Sequence, residues 1–248
     1  MAPEKPSACL ELKSVSMVFH RIPLLTDISF RIEGQEIVGI IGPNGVGKTT
    51  LFNAICGYVR PASGSVIFRG RDVTGLPPHR ICRLGIGRTF QIPRPFPDMT
   101  AFENVLMGVW FGGKEESGGG DATREALDVL NLVGLEHKAK TPARELTMSE
   151  LRRLEVARAL GTRPSLLLLD EIAAGLSPHA SLEAVELIRA LRERGLTLLI
   201  IDHFLNLTTQ ASDRLIAICD GVVAAEGNPA EVLNSPRVVN AYLGRGPR

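Results

Sequence analysis

A short apolar run, Glu36-Ile37-Val38-Gly39-Ile40-Ile41, leads straight into Gly42-Pro43-Asn44-Gly45-Val46-Gly47-Lys48-Thr49, and a helical stretch runs from Lys48 to a stop at Gly57. The octapeptide fits G-x-x-x-x-G-K-[ST] at every position, between a buried strand and a helix, the setting in which such a loop cradles phosphate. Glycines let consecutive backbone N–H groups of the loop converge on phosphate oxygens, and the helix N-terminus adds its partial positive charge. In this cradle of Gly42, Pro43, Asn44, Gly45, Val46 and Gly47, Lys48 supplies a point charge for the β- and γ-phosphates. The Thr49 hydroxyl supplies a ligand for Mg²⁺, and Thr50 a further phosphate contact. With glycine at roughly 7% of average sequence, such a match arises by chance in about one chain in a hundred. The expectation is therefore a nucleoside triphosphate site. The loop alone does not choose among GTPases, kinases, recombinases and transport ATPases, but the N-K-x-D that reads guanine is missing downstream.

A second apolar run, Leu166-Leu167-Leu168-Leu169, ends in Asp170-Glu171. Neighbouring side chains at a strand end point different ways, so two acids can take two roles. Asp170 is placed to hold Mg²⁺ through its water shell, and Glu171 to orient and polarise an attacking water. A solvated strand end would carry the same residues. The phosphate loop about 120 residues upstream argues for chemistry instead.

Strands and helices alternate elsewhere too. Ser177-Pro178 reads as an N-cap with proline at the first helical position, Gly195 closes that helix, and 196–202 is a third apolar run before a helix from His203. Strand, helix, strand with short connections implies a parallel sheet covered on both faces. Residues 9–35 and 65–70 read as antiparallel strands, and 98–160 as mostly helical. Thr100 caps a helix over 101–107, Asp121 caps one running to about 133, and 151–160 forms another. Residues 112–120, rich in glycine, read as a mobile surface loop. The fold class is α/β: a P-loop core with a parallel sheet, an antiparallel β subdomain and an inserted α-helical subdomain. Boundaries fall at about 9–90 and 161–228 for core and β subdomain, 92–160 for the helical part, and 229–246 for C-terminal helices, within one domain spanning 9–246.

Composition excludes several alternatives. The 248 residues carry 28 Lys+Arg against 27 Asp+Glu, a net charge of +1, without the basic excess of a sequence-independent nucleic-acid binder. At 44% hydrophobic residues the chain is not of disordered type. No apolar run approaches the roughly 18 residues that a membrane-crossing helix needs, and the start has no apolar core of a secretory signal. The four cysteines lack C-x-x-C spacing, so neither a zinc site nor a disulfide framework is expected.

The two motifs together resemble the ATP-binding subunits of ABC transporters, over essentially the whole chain. That resemblance implies roles for further residues. Gln91, in Arg88-Thr89-Phe90-Gln91, falls where the family has the glutamine that joins the core to the helical subdomain and senses Mg²⁺. His203 matches the family's switch histidine that contacts the γ-phosphate, and Phe19 lies where the family stacks an aromatic ring on adenine. Residues 75–91, 96–105 and the closing Ala241-Tyr242-Leu243-Gly244 resemble branched-chain amino-acid importers, and within them the first of two paired ATP-binding subunits. Branches handling urea, amides or lipopolysaccharide share much of this wording. The implied partners are a second ABC ATPase subunit, integral-membrane permease subunits and, indirectly, a substrate-binding protein, with ATP and Mg²⁺ bound. The implied place is the cytoplasmic face of the membrane. Residues 92–97, with three prolines, fall where the family lines a groove for the permease's cytoplasmic helix.

The family signature, L-S-G-G-Q or L-S-Y-G-Q-Q-R-R, is altered here to Leu146-Thr147-Met148-Ser149-Glu150. Ser149 stands in place of a glycine that closely approaches the partner's γ-phosphate, and Glu150 in place of a glutamine. Thr147-x-x-Glu150 is also a capping box ahead of an amphipathic helix. Ile172 replaces a usual proline, and Ser177 a usual Asp or Asn. Because each ATP in this family lies between one subunit's phosphate loop and the other's signature, the expectation is an asymmetric heterodimer. Its more active site then uses this chain's Lys48, Asp170, Glu171 and His203. The alternative is a catalytically weak, ATP-binding regulatory subunit.

Overall fold

The computed structural model describes residues 9–19, 21–112, 121–172, 178–201 and 205–243. The chain opens with a hairpin of β1 (Leu10–Phe19) and β2 (Ile22–Ile32). Val15 and Met17 point into the core while Ser16 and Val18 do not, the alternation of a half-buried strand. Next come β3 (Ile37–Ile41), α1 (Lys48–Ile55), β4 (Ser63–Phe68) and β5 (Arg71–Asp72). The strand β6 (Ile86–Arg88) comes after α2 (Pro78–Leu84), which opens on proline and closes at Gly85 in the left-handed region.

The helical insertion holds α3 (Ala101–Gly112), α4 (Ala122–Leu132) and α5 (Met148–Gly161). The remainder is β7 (Leu166–Asp170), α6 (Pro178–Glu193), β8 (Thr197–Ile201), α7 (Leu205–Ala211), β9 (Arg214–Cys219), β10 (Val222–Gly227), α8 (Pro229–Leu233) and α9 (Pro236–Leu243).

Among the described residues the strands form two sheets. One is antiparallel, in the order β2-β1-β4-β5. The other runs β10-β9-β3-β8-β7-β6, parallel except for β10 at its edge. Every residue of β3, β7 and β8 is buried, because the parallel sheet is covered on both faces. Val38, Ile40, Leu166, Leu168, Leu199 and Ile201 pack with α1 and the antiparallel sheet. Their neighbours Ile37, Leu167, Leu169, Leu198 and Ile200 pack on the other side with α3, α5, α6 and α7.

Two boundaries in the helical insertion differ from the sequence reading. The helix capped by Thr100 continues past residue 107 to Gly112, so Gly112 belongs to it and not to the loop. The reason is packing: a Cβ on Gly108 would lie 2.6 Å from the Arg158 carbonyl oxygen, and one on Gly112 would lie 2.4 Å from Thr162 Cβ. These glycines let α3 approach α5 closely instead of ending the helix. The second difference is α5, which begins at Met148, three residues before the expected start, because the capping box opens it there. The rest of the glycine-rich loop, 113–120, lies outside the described residues, as do Ser177 and His203.

Candidate active site

β3 delivers the chain to Gly42, whose φ of 156° and buried position both require glycine. A Cβ there would stand 2.1 Å from the Ile218 carbonyl oxygen. Gly47, with φ 105°, turns the loop into α1 and offers no side-chain cap, so the first amides of α1 face the loop with no cap from Gly47. Lys48 is only 6% exposed. Its Nζ donates to the carbonyl oxygens of Gly42 at 2.6 Å and Pro43 at 3.0 Å. Burial pulls the Lys48 ammonium below its ordinary pKa, and the charges of Glu171 and Asp170 oppose that pull. An open cleft of about 370 Å³ lies over this loop, lined by Asn44, Gly45, Gly47, Lys48, Thr49 and Thr50, with Leu24, Gln91, Glu171 and Ile201 on its other sides.

The opposite wall starts where β7 ends. Glu171 adopts φ 51°, a left-handed conformation that a non-glycine residue keeps only when its surroundings hold it. Its N–H donates to the Ile201 carbonyl oxygen at 2.8 Å, and its carbonyl oxygen accepts from Arg152 Nη1 at 2.6 Å. The turn sends the Glu171 carboxylate into the cleft, where Oε2 accepts from Gln91 Nε2 at 2.6 Å. Asp170 goes the other way: Oδ2 accepts from Arg88 Nη2 at 2.9 Å, and its N–H donates to Thr89 Oγ1 at 3.1 Å. The adjacent acids thus diverge, and Glu171 is the one that lines the cleft with Lys48, Thr49, Thr50 and Gln91.

Other sequence-derived residues stand apart. Phe19 is 66% exposed at the end of β1 and lies outside the lining of the cleft, to which β2 contributes Leu24. Thr147 caps α5: its Oγ1 accepts from the Glu150 N–H, and Glu150 Oε2 accepts from the Thr147 N–H at 2.8 Å and hydroxyl at 2.9 Å. Glu150 also pairs with Lys138 at 3.3 Å. Its carboxyl is held below the usual range, chiefly by the Thr147 amide. Ser149 lines a different cavity of about 360 Å³, together with Arg152 and Ile172.

Three residues to which sequence reasoning gave no role belong to the site's frame. Arg88 and Asn53 are joined to each other, Nη1 donating to Oδ1 at 2.6 Å, and Arg88 to Asp170. Tyr242, on α9, accepts a hydrogen bond from the Gly42 N–H at 2.9 Å. The closing Ala241-Tyr242-Leu243 wording was the only signal for Tyr242, and it carried no role.

Similarity to known proteins identifies the family. The ABC transporter family matches residues 25–174, and the branched-chain amino acid ATP-binding cassette transporter family matches 222–247. The chain is 39% identical to the high-affinity branched-chain amino acid transport ATP-binding protein LivG of Salmonella typhimurium, covering 95% of this chain and 97% of that protein. It is 36% identical to the probable LivG of Archaeoglobus fulgidus, covering 95% of each, and 37% identical to the lipopolysaccharide export ATP-binding protein LptB of Acidithiobacillus ferridurans, covering 96% and 98%. Among solved structures, the ADP conformation of an ATP-binding cassette of an ABC transporter superposes with a TM-score of 0.86 at 31% identity, covering 96% of this chain and 99% of that one. The chain belongs to the ABC transporter family, as an ATP-binding ATPase subunit of the branched-chain amino-acid type.

Proposed function

We propose that this subunit hydrolyses ATP to drive import of branched-chain amino acids or a related small polar solute, at the cytoplasmic face of a membrane. It would act with a second ABC ATPase subunit, permease subunits and, indirectly, a substrate-binding protein. The observation that carries the chemistry is the meeting of Lys48 and Glu171 in one cleft. The branch of the solute is supported by the LivG relatives and by the C-terminal family match.

The donor set fits a magnesium nucleotide. The uncapped start of α1 and the loop amides suit phosphate oxygens, and Lys48 needs only to leave two carbonyls to meet them. Thr49 and Gln91, which line the cleft, would hold Mg²⁺, and Asp170 would act through its water shell; when bound, the ion offsets charge on the β- and γ-phosphates. Glu171 orients the attacking water and accepts its proton at the carboxylate, and Gln91 holds that carboxylate in place at 2.6 Å. His203 is assigned the γ-phosphate contact and Phe19 the adenine ring.

The altered signature supports an asymmetric pair of sites. Glu150 is committed to the cap and to Lys138, so the asymmetry rests on Ser149. The site using this chain's Glu171 would then do most of the hydrolysis. In the purified complex, Lys48→Ala should abolish turnover at this chain's site, and Glu171→Gln should lower ATP turnover more than the equivalent substitution in the partner ATPase. A larger loss from the partner's substitution would remove the asymmetry. Full turnover in Lys48→Ala would overturn the reading of the cleft. Leucine uptake by reconstituted vesicles tests the solute, and uptake of none of leucine, isoleucine or valine would exclude the branched-chain class.

A further inference from the structure

Arg88 is a buried cation that the hydrolysis scheme does not use. Its side chain is 7% exposed and that of its counter-ion Asp170 is 2% exposed, at 2.9 Å. Burying such a pair is costly in desolvation and is weak evidence for stability, which directs attention to what the pair positions. Nη2 is spent on Asp170 and Nη1 on Asn53 of α1, the helix that begins at the phosphate loop. The guanidinium also sits among three rings, with its carbon 5.1 Å from the centroid of Phe90, 5.7 Å from Tyr58 and 5.8 Å from Phe52. This planar cation is therefore fixed from several directions, and a lysine could not reproduce the fork.

Arg88 faces a second space as well. With Tyr58, Phe90, Arg94, Glu155 and Arg158 it lines a cavity of about 230 Å³ that shares no lining residue with the nucleotide cleft. This cavity lies beside the segment 92–97 that leaves β6 for the helical insertion. Arg94 stacks over Phe90 at 5.6 Å, so the cage is continuous with that segment.

We propose that Arg88 is a positioning residue that joins two sites. It holds the Asp170 carboxylate where β7 ends and ties it through Asn53 to α1, the helix that begins at the phosphate loop, and through the ring cage it is tied to residues 92–97. The proposal rests on the reading of the cleft as a magnesium–ATP site and of 92–97 as the permease contact.

The test uses Mn²⁺ as a spectroscopic probe on the full chain bound to a non-hydrolysable ATP analogue. Partners that hold a metal-ligating carboxylate typically change metal affinity by about tenfold or more, so Arg88→Lys should weaken Mn²⁺ binding by about that factor. Affinity for the analogue without metal should stay near that of the unsubstituted chain. Unchanged Mn²⁺ affinity, or equal loss of metal and analogue binding, overturns the positioning role. If Arg88→Lys does not fold, Asn53→Ala decides: it keeps the ion pair but removes one strut, and should weaken Mn²⁺ binding in the same direction, with no change overturning the proposal. In the assembled transporter, Phe90→Leu opens the cage and should lower stimulation of ATP turnover by the permease; unchanged stimulation removes the link to the second site. If the unsubstituted chain binds no analogue, the reading of the cleft fails instead, and that result is distinct from the others.

Discussion

Both backbone polar groups of Gly42 are engaged: its N–H donates to the Tyr242 hydroxyl at 2.9 Å, and its carbonyl oxygen accepts from Lys48 at 2.6 Å. Burial pushes the Tyr242 phenol up from its ordinary pKa, and its oxygen is the acceptor of the Gly42 bond. A buried amide left without a partner costs about 1–3 kcal/mol, and a Tyr242→Phe substitution would leave the ring while removing the acceptor. Part of that cost should appear as a looser phosphate loop, raising KM for ATP roughly three- to tenfold with a smaller change in kcat. Steady-state kinetics beside a melting curve would check this. A lower Tm with unchanged KM would reduce Tyr242 to a staple for α9. The phosphate loop was legible in sequence because its eight residues are consecutive and each answers a local demand. Tyr242 lies 200 residues from Gly42 and Arg88 lies 82 from Asp170, and no spacing rule links such pairs before the chain folds.

At the scale of elements, two helices begin the same way. Thr100 and Glu103 cap α3 reciprocally, the amide of each bonded to the other's side chain at 2.7 and 3.2 Å, and Thr147 and Glu150 do the same for α5. Both carboxyls are held below the ordinary range by those amides. The caps therefore contribute fully above the ordinary carboxyl pKa of about 4.3 and lose their contribution as acid protonates the folded form. Protection factors of the amides in the first turns of α3 and α5 should fall as pH drops below the ordinary carboxyl pKa of about 4.3, ahead of those in the helix interiors. A uniform fall in protection across each helix would mean global acid unfolding instead. The cap also separates two explanations of the altered signature. Since Glu150 faces Thr147 and Lys138, Glu150→Gln should leave ATP turnover in the complex nearly unchanged, whereas Ser149→Gly should raise it at the site holding the partner's phosphate loop. A rise from Glu150→Gln as large as that from Ser149→Gly would return the effect to charge. These helix starts were legible because a capping box is a four-residue pattern. The far end of α3 was not, because Gly108 and Gly112 read locally as breakers, and only the close passage of α5 gives them another use.

Over the whole molecule, the parallel sheet buried on both faces fixes the loop after β3 and the acids at the end of β7 against one another, since β3 and β7 both pair with β8. The alternation of strands and helices made this core legible, while short pieces such as β6 and α2 lacked a periodic stretch long enough to read. Among the described residues no helix is long and apolar enough to cross a membrane. The segment after Gln91 is firmly held on the surface. Asn104 is fully buried, and its side chain holds Phe96 by both backbone groups, Oδ1 accepting from the N–H at 2.9 Å and Nδ2 donating to the carbonyl at 3.0 Å. Arg158 lies over the Phe96 ring at 5.1 Å and donates to the Arg94 carbonyl at 2.5 Å, yet Phe96 stays 41% exposed. An apolar ring on so firm a mount is suited to pass displacement rather than absorb it. A Phe96→Ala substitution leaves the mount intact, because the mount is made by the backbone of residue 96. ATP turnover of the isolated chain should therefore stay near that of the unsubstituted protein, while solute uptake by the assembled transporter should fall several-fold. Parallel assays of the two activities decide it: equal loss of both would make Phe96 part of the folded frame, and retention of both would place the contact elsewhere on the segment.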